Sequence, residues 1–273
     1  MMRLSLRHSA ANLVLFVTSL IFLLPTLIIV NIGLKSNQEF LKYPVKLVES
    51  VHWVNFSKAW KQADMSTYYT NSIIYAVGAA ALTCIIAAIA AFPLARRHVQ
   101  GANFILGLIA LTLFLPDGIV PTLFLMKKIG FMNTTYGFIL LETGLSLSLA
   151  VFILNGFIRS IPIELDEAAN MDGCGYFRYV FTIVMPMMKS ALATVFMLKM
   201  ITVWNDFINP YMYLTDKDKR PLTSGLYMFI GEFSTDWTVM AAGIVIVALP
   251  LILVYIFMQR FIISGLSSGA VKG

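Results

Sequence analysis

Residues 167–186 read Glu-Ala-Ala-Asn-Met-Asp-Gly-Cys-Gly-Tyr-Phe-Arg-Tyr-Val-Phe-Thr-Ile-Val-Met-Pro. This short and comparatively polar stretch lies between two apolar segments, 137–158 and 190–210, which each have the length of a membrane-spanning helix. A hydrophobic chain needs a reason to keep an ordered polar element in a loop of this kind. The stretch therefore predicts a surface that another protein, outside the membrane, binds.

The composition of the whole chain is that of a bilayer protein. Of its 273 residues, 59% are hydrophobic and 12% are charged, and the mean hydropathy is +0.80. A soluble domain carries about 25% charged residues. The net charge of +6 does not arise from a run of basic residues, so basic flanks of membrane spans explain it better than a nucleic-acid partner does.

Six segments reach the roughly 20 apolar residues that a helix needs to cross the hydrocarbon core. They are residues 9–34, 71–95, 103–126, 137–158, 190–210 and 238–262. No repeat, low-complexity tract or linker divides them, so we predict an all-α integral membrane fold in which residues 1–273 form one domain of six transmembrane helices. The alanine-rich second segment predicts a helix packed inside the bundle, because small side chains let helices approach closely in lipid.

The orientation of these spans is only weakly indicated by charge. Basic residues are divided almost evenly between the two sides of the predicted membrane. The arginines are nearly all on the side that holds the N-terminus, and basic residues favour the cytoplasmic side. The pattern therefore favours a cytoplasmic N-terminus without deciding the orientation.

The loop at 159–189 is predicted to form two short helices joined by a turn. Ser160 is a candidate N-cap, and Ala168 and Ala169 are good helix formers. Gly173 and Gly175 can end the first helix with positive φ, and a second helical stretch can run before Pro186. From the residues alone, this hairpin is either an ordinary interfacial element or a docking surface for a partner.

The spacing of this stretch resembles the EAA loop in permease subunits of ATP-binding-cassette importers. That pattern is Glu-Ala-Ala, three residues, Gly, nine residues, Ile, one residue and Leu-Pro, and only Leu differs here, where Met185 stands. Asp172 is typical of the sugar-importing branch. Shorter matches extend the resemblance over nearly the whole chain: Asn71-Ser72, Pro121, Gly130, Asn133, Thr134, Trp204-Asn205-Asp206-Phe207 and residues 265–273, the last similar to the tail of the maltose-type second permease.

The resemblance implies a type I importer transmembrane domain and its partners. These are a second permease subunit in a heterodimer, two ATPase subunits that hold the ATP and Mg, and an extracytoplasmic sugar-binding protein. The chain itself would hold no cofactor or metal. The resemblance assigns ATPase coupling to Glu167, Ala168, Ala169, Asp172, Gly173, Ile183 and Pro186. It also implies a cytoplasmic loop, and hence cytoplasmic termini, in the inner membrane of a bacterium or archaeon.

A second set of residues is a candidate substrate pathway. Asp117, Glu142 and Lys199 are ionisable residues within predicted spans, where charged groups usually face a cavity or each other. A sugar pathway and a buried ion pair are both open for Asp117; a packing role is favoured for Glu142 and Lys199. Asn205 and Asp206 at the end of the fifth span are further candidates for sugar contact. The adjacent Trp204 fits either an interfacial anchor or a sugar contact.

Three classes of function compete for this chain. An importer permease for a di- or oligosaccharide is favoured, and a glycerol phosphate or monosaccharide permease of the same branch is the alternative. A self-sufficient secondary transporter is less favoured because the chain shows no internal repeat. An enzyme is not expected, because the sequence contains no catalytic or phosphate-loop motif, so ATP hydrolysis is assigned to a partner.

Overall fold

The computed structural model describes residues 2–62, 64–116, 118–224 and 236–270, and every regular element in these ranges is helical. The helices are α1 (Met2–Gly33), α2 (Asn37–Lys42), α3 (Val54–Gln62), α4 (Met65–Ala95), α5 (Ala102–Thr112), α6 (Ile119–Lys128), α7 (Thr135–Ile158), α8 (Glu164–Met171), α9 (Tyr176–Tyr179), α10 (Met185–Met187), α11 (Lys189–Asn205), α12 (Ile208–Tyr213) and α13 (Trp237–Ala270). A π-helical turn, Val180–Val184, joins α9 to α10, and a 3₁₀ turn, Lys217–Lys219, follows α12.

Four helices in the described part of the chain are long and apolar enough to cross a membrane. The qualifying segments are Asn12–Gly33, Met65–Ala95, Thr135–Ile158 and Trp237–Phe257, which correspond to the first, second, fourth and sixth predicted spans. A fifth span is formed if Tyr176–Met187 and Lys189–Asn205 count as one, although these two helices are bent by 85°. The chain is therefore a multi-pass membrane protein with an all-α fold.

The third predicted span, 103–126, is not one continuous helix. α5 ends at Thr112 and α6 begins at Ile119, because Pro116 lacks a backbone N–H and Pro121 sits in the first turn of the next helix. Pro116, Asp117 and Gly118 already favour a break by sequence. Asp117 itself lies outside the described residues, so the structure places no side chain for this candidate pathway residue.

The chain divides into two compact units, and the first contains Met1–Ser66 with Gly225–Pro250. The apolar stretch of α1 is not buried by the rest of this unit. This exposure is expected for a helix that faces lipid, where tails are as apolar as leucine.

A buried lysine organises the segment that follows α1. Lys35 is 0% exposed, and its Nζ donates to the carbonyls of Tyr43 at 2.7 Å and Pro44 at 3.2 Å. The Asn55 amide donates to the carbonyls of Gly33 and Lys35, which satisfies acceptors left open at the end of α1. These contacts provide the partners that a buried ammonium requires.

The second unit contains Thr67–Ser224 with Leu251–Gly273, and α4 is its most buried span. Ala76, Ala80, Ala87 and Ala91 are all 0% exposed, at the spacing of one helix face. This confirms the prediction that the alanine-rich helix packs inside the bundle.

The short motifs at Asn71-Ser72 and Asn133 fix the chain that follows α12. The Asn133 Oδ1 accepts hydrogen bonds from the backbone N–H groups of Thr215 and Asp216, each at 3.1 Å. The Asn71 amide donates to the carbonyls of Asp218 at 2.7 Å and Arg220 at 3.1 Å. The Asn133 side chain, and then Lys219, hold the pKa of the Asp216 carboxyl below its usual range.

Asn133 is expected to contribute measurably to stability through this network. Its φ is +58°, a conformation that asparagine tolerates better than alanine does. We expect Asn133→Ala to lower the free energy of unfolding by about 2 kcal/mol, because it adds backbone strain and removes two hydrogen bonds. Asn133→Gly removes the same two hydrogen bonds but adopts the positive φ without strain, so it should cost about half as much. Equal losses for the two variants, measured by thermal unfolding in detergent, would contradict this account.

Candidate functional site

The first helix of the 159–189 loop, α8, is short and acidic at its start. Glu164, Asp166 and Glu167 all lie in its first turn, where carboxylates interact favourably with the positive end of the helix dipole. Ser160 is not the N-cap, contrary to the prediction. Its hydroxyl donates instead to the carbonyl of Phe157 at the end of α7, and α8 starts four residues later, after Pro162.

The turn that ends α8 depends on Gly173. Its φ is +67°, in the left-handed region that favours glycine. The N–H of Cys174 then donates to the carbonyl of Ala169 at 2.9 Å, which satisfies one of the open acceptors at the helix end. Gly175 has φ −67° and is not part of this left-handed turn, so only Gly173 acts as predicted.

The second arm runs from Tyr176 to Met187 as α9, the π-helical turn and α10. Pro186 cannot donate to the carbonyl four residues before it, and the π-helical turn lies immediately upstream, where such a register change is accommodated. Ile183 packs in part against the apolar core of the second unit. At Met188 the chain turns by 85° into α11.

The Glu-Ala-Ala motif is divided between two faces of α8. Ala169 is buried in the core, whereas Glu167, Ala168 and Asp172 are exposed. Large apolar side chains share the exposed side: Met171 is 89% and Ile163 55% exposed. The hairpin thus presents a mixed acidic and apolar surface while its other face is fixed to the bundle.

Asp166, which precedes the Glu-Ala-Ala motif, anchors α8. Its carboxylate accepts a hydrogen bond from Arg96 Nη2 at 3.1 Å and another from the Tyr179 hydroxyl. Arg96 Nε also lies 2.6 Å from Asp166 Oδ2, in charge contact but without hydrogen-bond alignment. Both charged side chains are less than one-tenth exposed. Each charge therefore has the opposite charge as its partner where an exposed side chain would have water.

A second attachment involves the tyrosine that opens the second arm. The Tyr176 hydroxyl donates to the carbonyl of Ile89 in α4 at 2.5 Å. The Phe92 ring lies against both loop tyrosines, with centroids 5.9 Å from Tyr176 and 5.4 Å from Tyr179. A cavity of about 160 Å³ borders this contact and is lined by residues of α4, the following turn and the hairpin.

The candidate pathway residues fall into two groups. Lys199 Nζ lies 2.7 Å from Glu142 Oε2, and both side chains are at most 3% exposed. The Asn209 amide donates to Glu142 at 3.2 Å and to Asp206 at 2.7 Å, so it joins two of the predicted residues. Asn209 carries no sequence signal of its own that would have identified it. Asn205 is exposed, and its amide donates to the carbonyl of Ile201.

Trp204 is buried in the second unit. It is 3% exposed and packs edge-on against Tyr69, with ring centroids 5.9 Å apart. The ring is thus part of the apolar core of the second unit. In the part of the chain that the structure describes, no group of three or more His, Cys, Asp or Glu could hold a metal ion.

Residues 83–267 match the family described as the binding-protein-dependent transport system inner membrane component. The chain belongs to this family. The matched range includes α8, its Gly173 turn and the second arm, as well as the Glu142–Lys199 pair. The predicted resemblance to importer permeases is therefore confirmed.

Individual relatives of this permease cover most of its length. It is 35% identical to the melibiose/raffinose/stachyose import permease protein MelC of Bacillus subtilis over 80% of each chain. It is 32% identical to the diacetylchitobiose uptake system permease protein NgcG of Streptomyces coelicolor over 96% of this chain and 88% of the relative. The same fold occurs in a crystal structure of a bacterial ABC transporter involved in the import of the acidic polysaccharide alginate. The TM-score is 0.83 and the sequence identity is 22%, over 94% of this permease and 96% of that chain.

Proposed function

We propose that this permease is the membrane-spanning subunit of an ATP-driven, binding-protein-dependent importer of a di- or oligosaccharide. The observation that carries the proposal is the arrangement of α8. Its inner face is attached to the bundle at Asp166 and Ala169. Its outer face leaves Glu167, Ala168 and Asp172 accessible. An exposed carboxylate can receive an arginine or backbone donors from a partner.

In this proposal, two cytoplasmic ATPase subunits bind ATP and Mg, and one of them receives α8 and the Gly173 turn in a surface groove. A second permease subunit pairs with this chain in the membrane, and an extracytoplasmic sugar-binding protein delivers the substrate. Closure of the ATPases on ATP moves the hairpin and shifts the helix bundle from an inward-facing to an outward-facing arrangement. A partner that binds one arrangement more tightly shifts the equilibrium towards it. The N- and C-termini are cytoplasmic.

The proposed substrate class rests on the sugars named for the relatives. The proposed pathway residues are Asp117, Glu142, Asn205 and Asp206. Asp206 supplies an acceptor for sugar hydroxyls beside Asn209, and Glu142, which is buried against Lys199, holds the Asn209 amide in place. Glycerol phosphate or a monosaccharide remains the alternative substrate. A self-sufficient secondary transporter is the second function to be tested.

Reconstitution in proteoliposomes tests the proposal. The permease with its partner permease, ATPase and binding protein should accumulate radiolabelled oligosaccharide only when ATP is present on the ATPase side. Omission of either the ATPase or the binding protein should abolish accumulation. Uptake by this chain alone, driven by an ion gradient, would overturn the proposal in favour of a secondary transporter.

A further inference from the structure

A proline creates an acceptor in α4 that the loop then uses. Pro93 lies inside α4 and has no N–H, so the carbonyl of Ile89, four residues earlier, lacks its helical donor. The Tyr176 hydroxyl supplies a donor to this carbonyl at 2.5 Å. This hydrogen bond gives the carbonyl a partner in place of its missing helical donor, and it links the second arm of the hairpin to a specific point on α4.

The residue that follows α4, Arg96, contacts the first arm of the hairpin directly and the second arm through Asp166. Arg96 follows the last residue of α4, where a cation is favoured by the helix dipole. It pairs with Asp166 of the first arm, and Asp166 in turn accepts from Tyr179 of the second. The three side chains therefore form a small buried network that crosses from α4 to α8 to the second arm.

Phe92 lies between these two attachments along the helix. Its ring contacts both Tyr176 and Tyr179. Ile89, Phe92 and Arg96 are spaced by three and four residues, which places them on one face of the α4 end. We call this face, with Pro93, the α4 clasp.

The geometry points to the α4 clasp as the element that transmits hairpin motion into the bundle. We propose that Arg96, Asp166, Tyr176 and Tyr179 are positioning residues for coupling: they make the hairpin and the end of α4 move as one body. This inference rests on the proposed function, because it assigns a route to the motion that the ATPases would impose. The chain connects the hairpin directly to α7 and α11. The clasp also links it to α4, the alanine-rich helix that packs inside the bundle.

Hydrogen exchange of residues 164–187 tests the clasp without the ATPase. In the full-length permease in nanodiscs, Tyr176→Phe removes only the donor to Ile89, and Asp166→Asn removes the charge that faces Arg96. Each should raise the exchange rate of the hairpin amides by about fivefold, because local opening becomes easier. Tyr136→Phe and Arg97→Gln, which alter matched side chains outside the clasp, should leave these rates unchanged.

The coupling ratio provides the second readout. In the assembled transporter, Tyr176→Phe and Asp166→Asn should retain ATPase binding but lower the sugar imported per ATP hydrolysed by about threefold or more, whereas the two controls should match wild type. Unchanged hairpin exchange together with a wild-type ratio would overturn the inference. Loss of ATP-driven uptake in the wild type would instead count against the proposed function, and the exchange result would still stand.

Discussion

Replacement of Gly173 by valine is expected to reduce ATP-driven sugar uptake by about tenfold or more while the permease remains in the membrane. An added Cβ meets no atom within 4 Å, so space is not the constraint. The constraint is the φ of +67°, which costs a β-branched residue about 2 kcal/mol or more. That cost shifts the equilibrium of the turn by more than tenfold and moves the end of α8 out of position.

Gly175→Val is the matched control for this experiment. Gly175 is also exposed, and an added Cβ there meets no atom within 4 Å, but its φ of −67° and ψ of 156° suit valine. Uptake by Gly175→Val should therefore stay within about twofold of wild type, since surface changes of this kind have small effects. Co-purification of the ATPase should be weakened only by Gly173→Val. Equal uptake by the two variants would show that the left-handed turn is not needed for coupling.

The second large effect is expected from the buried pair of Glu142 and Lys199. Lys199→Met should lower the free energy of unfolding by about 3–5 kcal/mol, because it leaves the Glu142 carboxylate buried without a countercharge. Thermal unfolding of the purified permease in detergent measures this loss. Asn209 still donates to Glu142, but a single amide does not replace an ammonium.

The double variant Glu142→Gln with Lys199→Met should recover most of the lost stability, since it removes both charges together. Lys46→Met is the control on an exposed pair: Lys46 and Glu49 lie 2.5 Å apart with side chains 57% and 61% exposed, and exposed pairs contribute little. If the double variant is stable but transports no sugar, the pair serves the pathway. If Lys199→Met is as stable as the Lys46→Met control, the pair is not required for packing.

The features that sequence predicts well here are local or periodic. The apolar lengths of α1, α4, α7 and α13 follow from composition. The Gly173 turn follows from glycine, the residue that adopts a positive φ most readily. The break between α5 and α6 also has a local cause in Pro116, yet average hydropathy across 103–126 conceals it. The start of α8 was misplaced because the Ser160 hydroxyl binds a carbonyl of α7 rather than an N–H of α8.

The contacts that anchor the loop could not be derived from spacing. Arg96 and Asp166 are far apart in the sequence, and neither belongs to the motif that identifies the loop. Pro93 can be recognised in the sequence as a residue without an N–H, but only the fold shows that the Tyr176 hydroxyl donates to the carbonyl that Pro93 leaves without a donor. Glu142 and Lys199 were favoured as a packing pair from their cost in lipid, whereas Asn209, which joins Glu142 to Asp206, carries no pattern of its own.

Photocross-linking from α8 tests the central claim most directly. Met171 is the most exposed large apolar residue of this helix, and Met171→Cys, in a chain with both native cysteines replaced by alanine, can carry a benzophenone probe. In membranes that contain the complete transporter, we predict a cross-link to the ATPase subunit, whereas the same probe at Leu47→Cys, 79% exposed in the first unit, should give none. A cross-link from position 171 to the sugar-binding protein, or to lipid alone, would contradict the assignment of this loop as the site of coupling.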